Sequence, residues 1–243
     1  MARNKKIGTK RGDFLGGTSG DDDIYGDLGN DTLYGYAGDD LLNGHNGQDR
    51  LFGGVGSDTL YGGAHSDFVL GDAGNDLVFG GDGNDFVSGG DGRDVITGGL
   101  GDDLLIGGRE SPTQKNTVLL DNASDTFLFD FSVKFGNDRI QGFESGRDVF
   151  NLDNLRTAMI NQIVVKEDMA LVGKKQMPVV TLDFKSGVNL VGSVKIEGFD
   201  LKDLAAGQSQ AIKVNPFMGI VDTVATAALN QVLSTGTTTD LVF

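Results

Sequence analysis

Ten aspartates set nine residues apart, Asp22, Asp31, Asp40, Asp49, Asp58, Asp67, Asp76, Asp85, Asp94 and Asp103, are the residues of this chain best suited to chemistry. A lone carboxylate can be a base or a turn former, but ten at one interval describe an array. Equal spacing puts them at equivalent points of a repeated unit. Stacking such units brings the carboxylates to about one strand spacing from each other, ~4.8 Å. Like charges at that distance repel unless a hard cation lies between them. Oxygen-only ligands, from Asp side chains and turn carbonyls on flexible Gly-rich loops, suit calcium better than magnesium, which demands stricter octahedral geometry and keeps its water.

The elements that hold these carboxylates are equally regular. From Gly17 to Ile106 the chain divides without insertion into ten nonapeptides, among them GDLGNDTLY, GGVGSDTLY and GGDGNDFVS. The first position is Gly in all ten, the fourth is Gly in nine with His65 the exception, the sixth is Asp in all ten, and the eighth is Ile, Leu or Val in all ten. A period this short means one structural unit stacked on itself, because nine residues cannot bury their own apolar face. Glycine tolerates the positive φ of a tight turn, so positions one to six are predicted to be turn and the last three to be strand. Position eight then points inward, giving a stripe of Ile24, Leu33, Leu42, Leu51, Leu60, Val69, Val78, Val87, Ile96 and Leu105.

Two blocks make one coil of eighteen residues, and successive coils stack their strands in parallel. Asp22, Asp40, Asp58, Asp76 and Asp94 fall on one edge, and Asp31, Asp49, Asp67, Asp85 and Asp103 on the other. The turn glycines supply the carbonyl part of the candidate ligand set: Gly17 and Gly20, Gly26 and Gly29, Gly35 and Gly38, Gly53 and Gly56, Gly71 and Gly74, Gly80 and Gly83, Gly89 and Gly92, and Gly98 and Gly101. Charge points the same way. Residues 17–106 hold 18 Asp, no Glu and only Arg50 and Arg93 as basic groups, a net −16 against −15 for the whole chain. Ten blocks form eight stacked pairs of turns, and eight Ca²⁺ would neutralise that excess. Without metal, so glycine-rich and like-charged a segment is predicted not to fold.

The nonapeptide GGxGxDxUx resembles the calcium-binding RTX repeat of secreted bacterial toxins, proteases and lipases. The resemblance implies a parallel β-roll with calcium between stacked turns. GTKRGDFLG, from Gly8 to Gly16, looks like one more degenerate copy that keeps Gly8, Asp13 and Leu15 but has Arg11 at position four. It is expected to be an end cap that binds calcium poorly.

Downstream, residues 109–124 break the pattern and are read as a linker. From Asp125 the chain is rich in Phe and alternates apolar with polar residues, the mark of strands. Gly136-Asn137-Asp138-Arg139-Ile140 and Gly146-Arg147-Asp148-Val149-Phe150 each restate positions four to eight. This part resembles the capping module that follows the repeats in RTX proteases, and by that resemblance Asp125, Asp138 and Asp148 join the candidate calcium ligands. Further strands are expected at 162–166, 170–172, 179–184 and 188–197. Val221, Val224, Ala225, Ala228, Leu229 and Val232 fall at helical spacing. The closing Asp240-Leu241-Val242-Phe243 resembles the uncleaved export signal of type I secretion substrates.

The expected fold is thus all-β: a parallel β-roll of nonapeptide repeats, a β-rich capping module and a short C-terminal helix. Its divisions are 1–16 with one degenerate repeat, 17–108 as the roll, 109–124 as linker, 125–205 as cap and 206–243 as export signal. Several functions are disfavoured. With no Cys, disulfides, zinc thiolates and thiol nucleophiles are excluded. His45 and His65 lie in turn positions with no HExxH pattern, and no GxSxG elbow or phosphate-binding loop is present. The acidic balance disfavours nucleic acid, the N-terminus lacks the apolar run of a secretory signal, and no stretch suits a transmembrane helix. The expectation is a non-enzymatic, secreted, extracellular protein with about eight calcium ions, exported by a type I exporter. Two alternatives remain: a polysaccharide-binding module, in which Tyr25, Tyr34, Phe52, Tyr61 and Phe79 form an outward aromatic row, and the targeting or folding fragment of a larger secreted enzyme.

Overall fold

The computed structural model describes residues 3–110 throughout and, beyond them, 118–119, 123–130, 136–143, 148–153, 162–172, 175–186, 189–197, 212–214 and 240–242. The repeats give strands β1 (Asn4–Ile7), β2 (Phe14–Gly16), β3 (Asp22–Leu28), β4 (Thr32–Ala37), β5 (Leu41–Asn46), β6 (Arg50–Val55), β7 (Thr59–Ala64), β8 (Phe68–Ala73), β9 (Leu77–Asp82), β10 (Phe86–Asp91), β11 (Val95–Leu100) and β12 (Leu104–Ile106). Odd strands form one sheet and even strands the other, each strand pairing in parallel with the strand two along. The register is eighteen residues: Leu42 opposes Leu60, and Leu33 opposes Leu51. This is a parallel β-solenoid of about six coils, with the degenerate copy as the first coil. The core is the predicted stripe, with all ten position-eight side chains from Ile24 to Leu105 fully buried.

The strands are longer than the repeat pattern indicates. β4 runs from position seven of one block to position three of the next, so the turn shrinks to positions four to six. Position two, inside the strand, carries the left-handed φ: Asp27 at 78°, Tyr36 at 75°, His45 at 71°, Asp72 at 72°, and glycines elsewhere. The strand bends there without losing its ladder, since Tyr36 still opposes Gly54. Position four is also left-handed in most blocks, as at Gly47 with φ 150° and His65 with φ 84°.

Position one is glycine for another reason. No position-one residue has a positive φ. At Gly53, an added Cβ would lie 2.5 Å from Asp58 Oδ2 and 2.6 Å from the Gly71 carbonyl oxygen. The residue is glycine because two oxygens occupy the side-chain direction, not because its backbone is strained.

After the roll, β13 (Arg109–Glu110) and β14 (Val118–Leu119) form a two-stranded antiparallel ribbon inside the stretch read as a linker. β15 (Thr126–Asp130), β16 (Asn137–Gln141), β17 (Val149–Asp153), β18 (Gln162–Val172), β19 (Lys175–Ser186), β20 (Asn189–Glu197), β21 (Ile212–Val214) and β22 (Asp240–Val242) complete the chain. β15, β17 and β21 extend the first sheet in parallel, and β16 and β20 extend the second, which ends in the antiparallel series β20-β19-β18-β22. The two strands expected at 162–166 and 170–172 are a single eleven-residue β18. Lys166 to Ala170 holds no Gly or Pro to break the ladder, and β19 pairs along its whole length. The helix expected over Val221 to Val232 lies outside the described residues.

Two substitutions separate the two uses of glycine. Gly53→Ala should cost about 1–3 kcal/mol through overpacking, while Gly20→Ala, with nothing within 4 Å and no positive φ, should change stability by less than ~0.5 kcal/mol. Melting of the two variants at fixed calcium checks this, and equal costs would contradict it. His65→Gly relieves a left-handed side chain worth about 1 kcal/mol and should lower the calcium concentration at half-folding.

Candidate metal centre

Each position-six aspartate from Asp31 to Asp103 reaches its site from the last residue of a three-residue turn, immediately before a strand whose position-eight residue is locked in the core, and Asp22 opens its strand. All ten are buried, with no more than 4% of any residue exposed. One carboxylate oxygen is used by the backbone. The amide of Asp31 donates to Asp49 Oδ1 at 2.7 Å, that of Asp40 to Asp58 Oδ1 at 2.7 Å, that of Asp58 to Asp76 Oδ1 at 2.8 Å and that of Asp67 to Asp85 Oδ1 at 2.8 Å. Every rung thus receives an amide proton from the coil before it.

The other oxygen has no such partner. Oδ2 of Asp31, Asp40, Asp49, Asp58, Asp67, Asp76, Asp85 and Asp103 is buried without a hydrogen bond. A carboxylate oxygen in that state is costly unless a cation or a donor meets it. From Asp31 to Asp85 each Oδ2 faces the position-one glycine of its own block and the carbonyl of the position-one glycine in the next coil, as at Gly53 and again at Gly80, where Asp85 Oδ2 and the Gly98 carbonyl each lie 2.5 Å from the Cβ point. One carboxylate oxygen and one carbonyl oxygen therefore converge where only glycine leaves room. Among the described residues no three acidic or imidazole side chains come together, so a cation here is held largely by main-chain oxygens. That donor set, all oxygen and mostly neutral, fits calcium.

Electrostatics express the same demand. Burial pushes the carboxyls of Asp40, Asp49, Asp76 and Asp103 up to about 6, those of Asp58 and Asp85 to about 7, and that of Asp67 to about 8. Neighbouring carboxylates add to this, and the amide bond to Oδ1 opposes it. Asp22 differs. Burial pushes its carboxyl up too, but hydrogen bonds from the Thr18 amide, the Asn4 side chain and the Thr18 hydroxyl together bring it below its ordinary value of 3.8.

The ladder continues into the cap. Asp94 donates its amide to Asp125 Oδ1 at 3.0 Å, Asp103 to Asp138 Oδ1 at 3.1 Å, and Asp125 to Asp148 Oδ1 at 3.0 Å. All three cap aspartates are buried, and burial with the nearby Asp103 pushes Asp138 up to about 8. Gly136 stacks on Gly101, donating its amide to that carbonyl at 3.0 Å, and Ile140 opposes Leu105. GNDRI is therefore a structural continuation of the repeat. Gly146 and Arg147 lie outside the described residues.

A second ladder lies at position five, which the sequence reading passed over. The amide of Ser57 donates to Asp39 Oδ1 at 2.8 Å, that of Arg93 to Asn75 Oδ1 at 2.9 Å, and that of Asp102 to Asn84 Oδ1 at 3.1 Å. It runs opposite to the first, since here the later coil donates. Its signal was available: eight of ten position-five residues are Asp, Asn or Ser, short side chains that can accept a proton from the next coil.

The aromatic row divides between the sheets, with Tyr25, Tyr61 and Phe79 on one and Tyr34 and Phe52 on the other. Tyr34 and Phe52 stack at 4.6 Å and 7°, Tyr61 and Phe79 at 4.8 Å and 10°. Each of these rings therefore turns a face toward its partner in the neighbouring coil. His45 stacks on Tyr25 at 6.0 Å, and His65 Nδ1 lies 2.6 Å from the Ala64 carbonyl; neither meets a second imidazole.

With this geometry established, the repeats can be placed among known proteins. Residues 16–51, 43–78 and 79–112 match the family model described as RTX calcium-binding nonapeptide repeat (4 copies). No curated protein matches the chain. Among solved structures, it is similar to an extracellular lipase from Serratia marcescens, at 17% identity and a TM-score of 0.32, over 88% of this chain and 40% of the lipase. It is also similar to a subunit of the mannuronan C5-epimerase from Azotobacter vinelandii, at 20% identity and a TM-score of 0.23, over 85% of this chain and 80% of that one. The chain thus spans well under half of the lipase's length.

The raised carboxyls fix how the metal-free roll responds to pH. A carboxyl whose folded value lies above its unfolded value binds more protons when folded, so its contribution to stability is present at low pH and lost as pH rises through the folded value. Here that loss falls between about pH 4 and pH 8. In calcium-free buffer the β signal in circular dichroism should therefore grow as pH falls from 8 to 4.5. The calcium concentration at half-folding should fall over the same interval, because the folded carboxyls take up protons that the unfolded ones do not, and protonation then supplies part of the stabilisation that calcium supplies at higher pH. Metal-free spectra that are identical at the two pH values would contradict this.

Proposed function

With residues 16–112 formed of RTX calcium-binding repeats, we propose that this is a secreted bacterial protein whose roll folds when it meets extracellular calcium. The observation that carries the reading is the column of buried Oδ2 atoms from Asp31 to Asp85, each facing a glycine carbonyl of the next coil and lacking a hydrogen-bond partner. In this reading Asp31 to Asp103 and the cap aspartates Asp125, Asp138 and Asp148 supply the charged oxygens, the position-one glycines supply carbonyls, and about eight ions offset the −16 of the repeats. Calcium supplies the positive charge. The chain supplies the orientation, because the amide bond to Oδ1 fixes each carboxylate and leaves Oδ2 turned toward the next coil.

Compartment gives the mechanism its direction. Extracellular calcium modules bind with dissociation constants of about 10⁻⁴ to 10⁻³ M, so the repeats stay unfolded and threadable at cytosolic calcium and fold outside. Export by a type I exporter accords with this and with the Asp-Leu-Val-Phe ending; in the folded state Asp240–Val242 pairs antiparallel with Gln162–Val164 of β18. The role on arrival is structural or surface-associated and non-enzymatic. Stacking on a polysaccharide needs exposed ring faces, whereas Tyr34, Phe52, Tyr61 and Phe79 each turn one face to a neighbouring ring, so that alternative draws less support. A catalytic domain encoded next to these repeats would favour the larger-enzyme reading.

A circular dichroism titration with calcium, from calcium-free buffer to 10 mM at pH 7.5, is the direct experiment. The expected result is a steep, cooperative gain of β signal at submillimolar to millimolar calcium. Asp67→Asn should shift the midpoint upward several-fold. A compact, β-rich chain in calcium-free buffer at that pH would sink the reading.

A further inference from the structure

The first coil of the solenoid is built on a different turn from the rest. Thr9 and Asp13 close one edge and Thr18 and Asp22 the other, giving two copies of the sequence T-x-x-x-D with Thr at position two. The Thr18 amide donates to Asp22 Oδ2 at 2.6 Å and the Thr18 hydroxyl to the same atom at 2.9 Å. Thr9 does the same to Asp13 Oδ2, at 2.6 Å and 2.9 Å. In the nine later blocks the position-two residue, from Asp27 to Gly99, has a positive φ; Thr9 and Thr18 do not. Their φ differs, and their amides turn onto the carboxylate of their own block. The outer oxygen is covered as well, since the Asn4 side chain donates to Asp22 Oδ1 at 2.7 Å. Lys6 Nζ donates to the Gly16 carbonyl, and Arg3 pairs with Asp23 at 2.8 Å.

We propose that these two T-x-x-x-D turns are a metal-free N-terminal cap, in which the amide and hydroxyl of Thr9 and Thr18 occupy the Oδ2 that calcium meets in the later turns. Position two thereby sets which turns take the ion. The Gly17 cradle has the same parts as the later ones, an Asp Oδ2 and the Gly35 carbonyl, so it is Thr18 and not a missing ligand that closes it. The cap gives the first ion on each edge a coil to bind against that itself needs no ion. This inference rests on the calcium reading of the roll.

The test counts ions on the full chain by native mass spectrometry at saturating calcium, with circular dichroism to verify the fold. Asp22→Asn should keep the wild-type count, Asp58→Asn should lose at least one ion, and Thr18→Gly should gain one. A folded Asp22→Asn chain with fewer ions than wild type would overturn the cap while leaving the calcium reading intact. If Asp22→Asn does not reach the wild-type β signal, Thr18→Val decides. An unchanged or higher count then supports the cap, and a lower one shows that the hydroxyl holds calcium and overturns it. A wild-type chain that binds no calcium sinks the underlying reading and the cap with it.

Discussion

Carboxylates stacked at strand spacing and shut away from water are the constraint on which this structure depends. Burial of the position-eight stripe forces it: each Ile, Leu or Val that enters the core draws the Asp two residues earlier under the next coil. Hydrophobic packing and charge repulsion are thus opposed within the same nine residues. The chain resolves half of the conflict itself, by giving one oxygen of each carboxylate an amide donor. The other oxygen is left without a donor, a position that a cation fits.

Much of this was legible in the sequence because ten copies in phase fix a register that one copy could not. The core stripe, the two edges and the pairing at eighteen residues follow from the positions of Asp and of Ile, Leu and Val. What each glycine does was less legible. A glycine required by left-handed backbone and one required by a crowded Cβ look identical in a sequence, and position one proves to be the second kind. The position-five ladder was visible as a preference for short acceptors, but Gln48 and Arg93 blur it. In the cap, one copy of each segment gives no period to read, and the single strand β18 reads as two.

The two ends of the roll are finished differently. At the N-terminal end, edge strands β1 and β2 carry Lys5, Lys6, Lys10 and Arg11 on or beside them, charges that disfavour pairing with another chain. At the other end the second sheet passes into the longer strands β18 to β20, with Arg139 held to Glu197 at 2.6 Å across β16 and β20. Between these ends every coil meets only its neighbours, so stability is a sum of coils and interfaces.

The rungs are indifferent to the length of chain between them. Within the roll the carboxylate that accepts an amide lies eighteen residues on, yet the same bond forms from Asp94 to Asp125, from Asp103 to Asp138 and from Asp125 to Asp148, at offsets of 31, 35 and 23 residues. The stack keeps its rungs at all three offsets. A solenoid with that property is a scaffold for grafting: foreign peptides inserted between rungs would be displayed at the edge of the stack, spaced by the coil repeat.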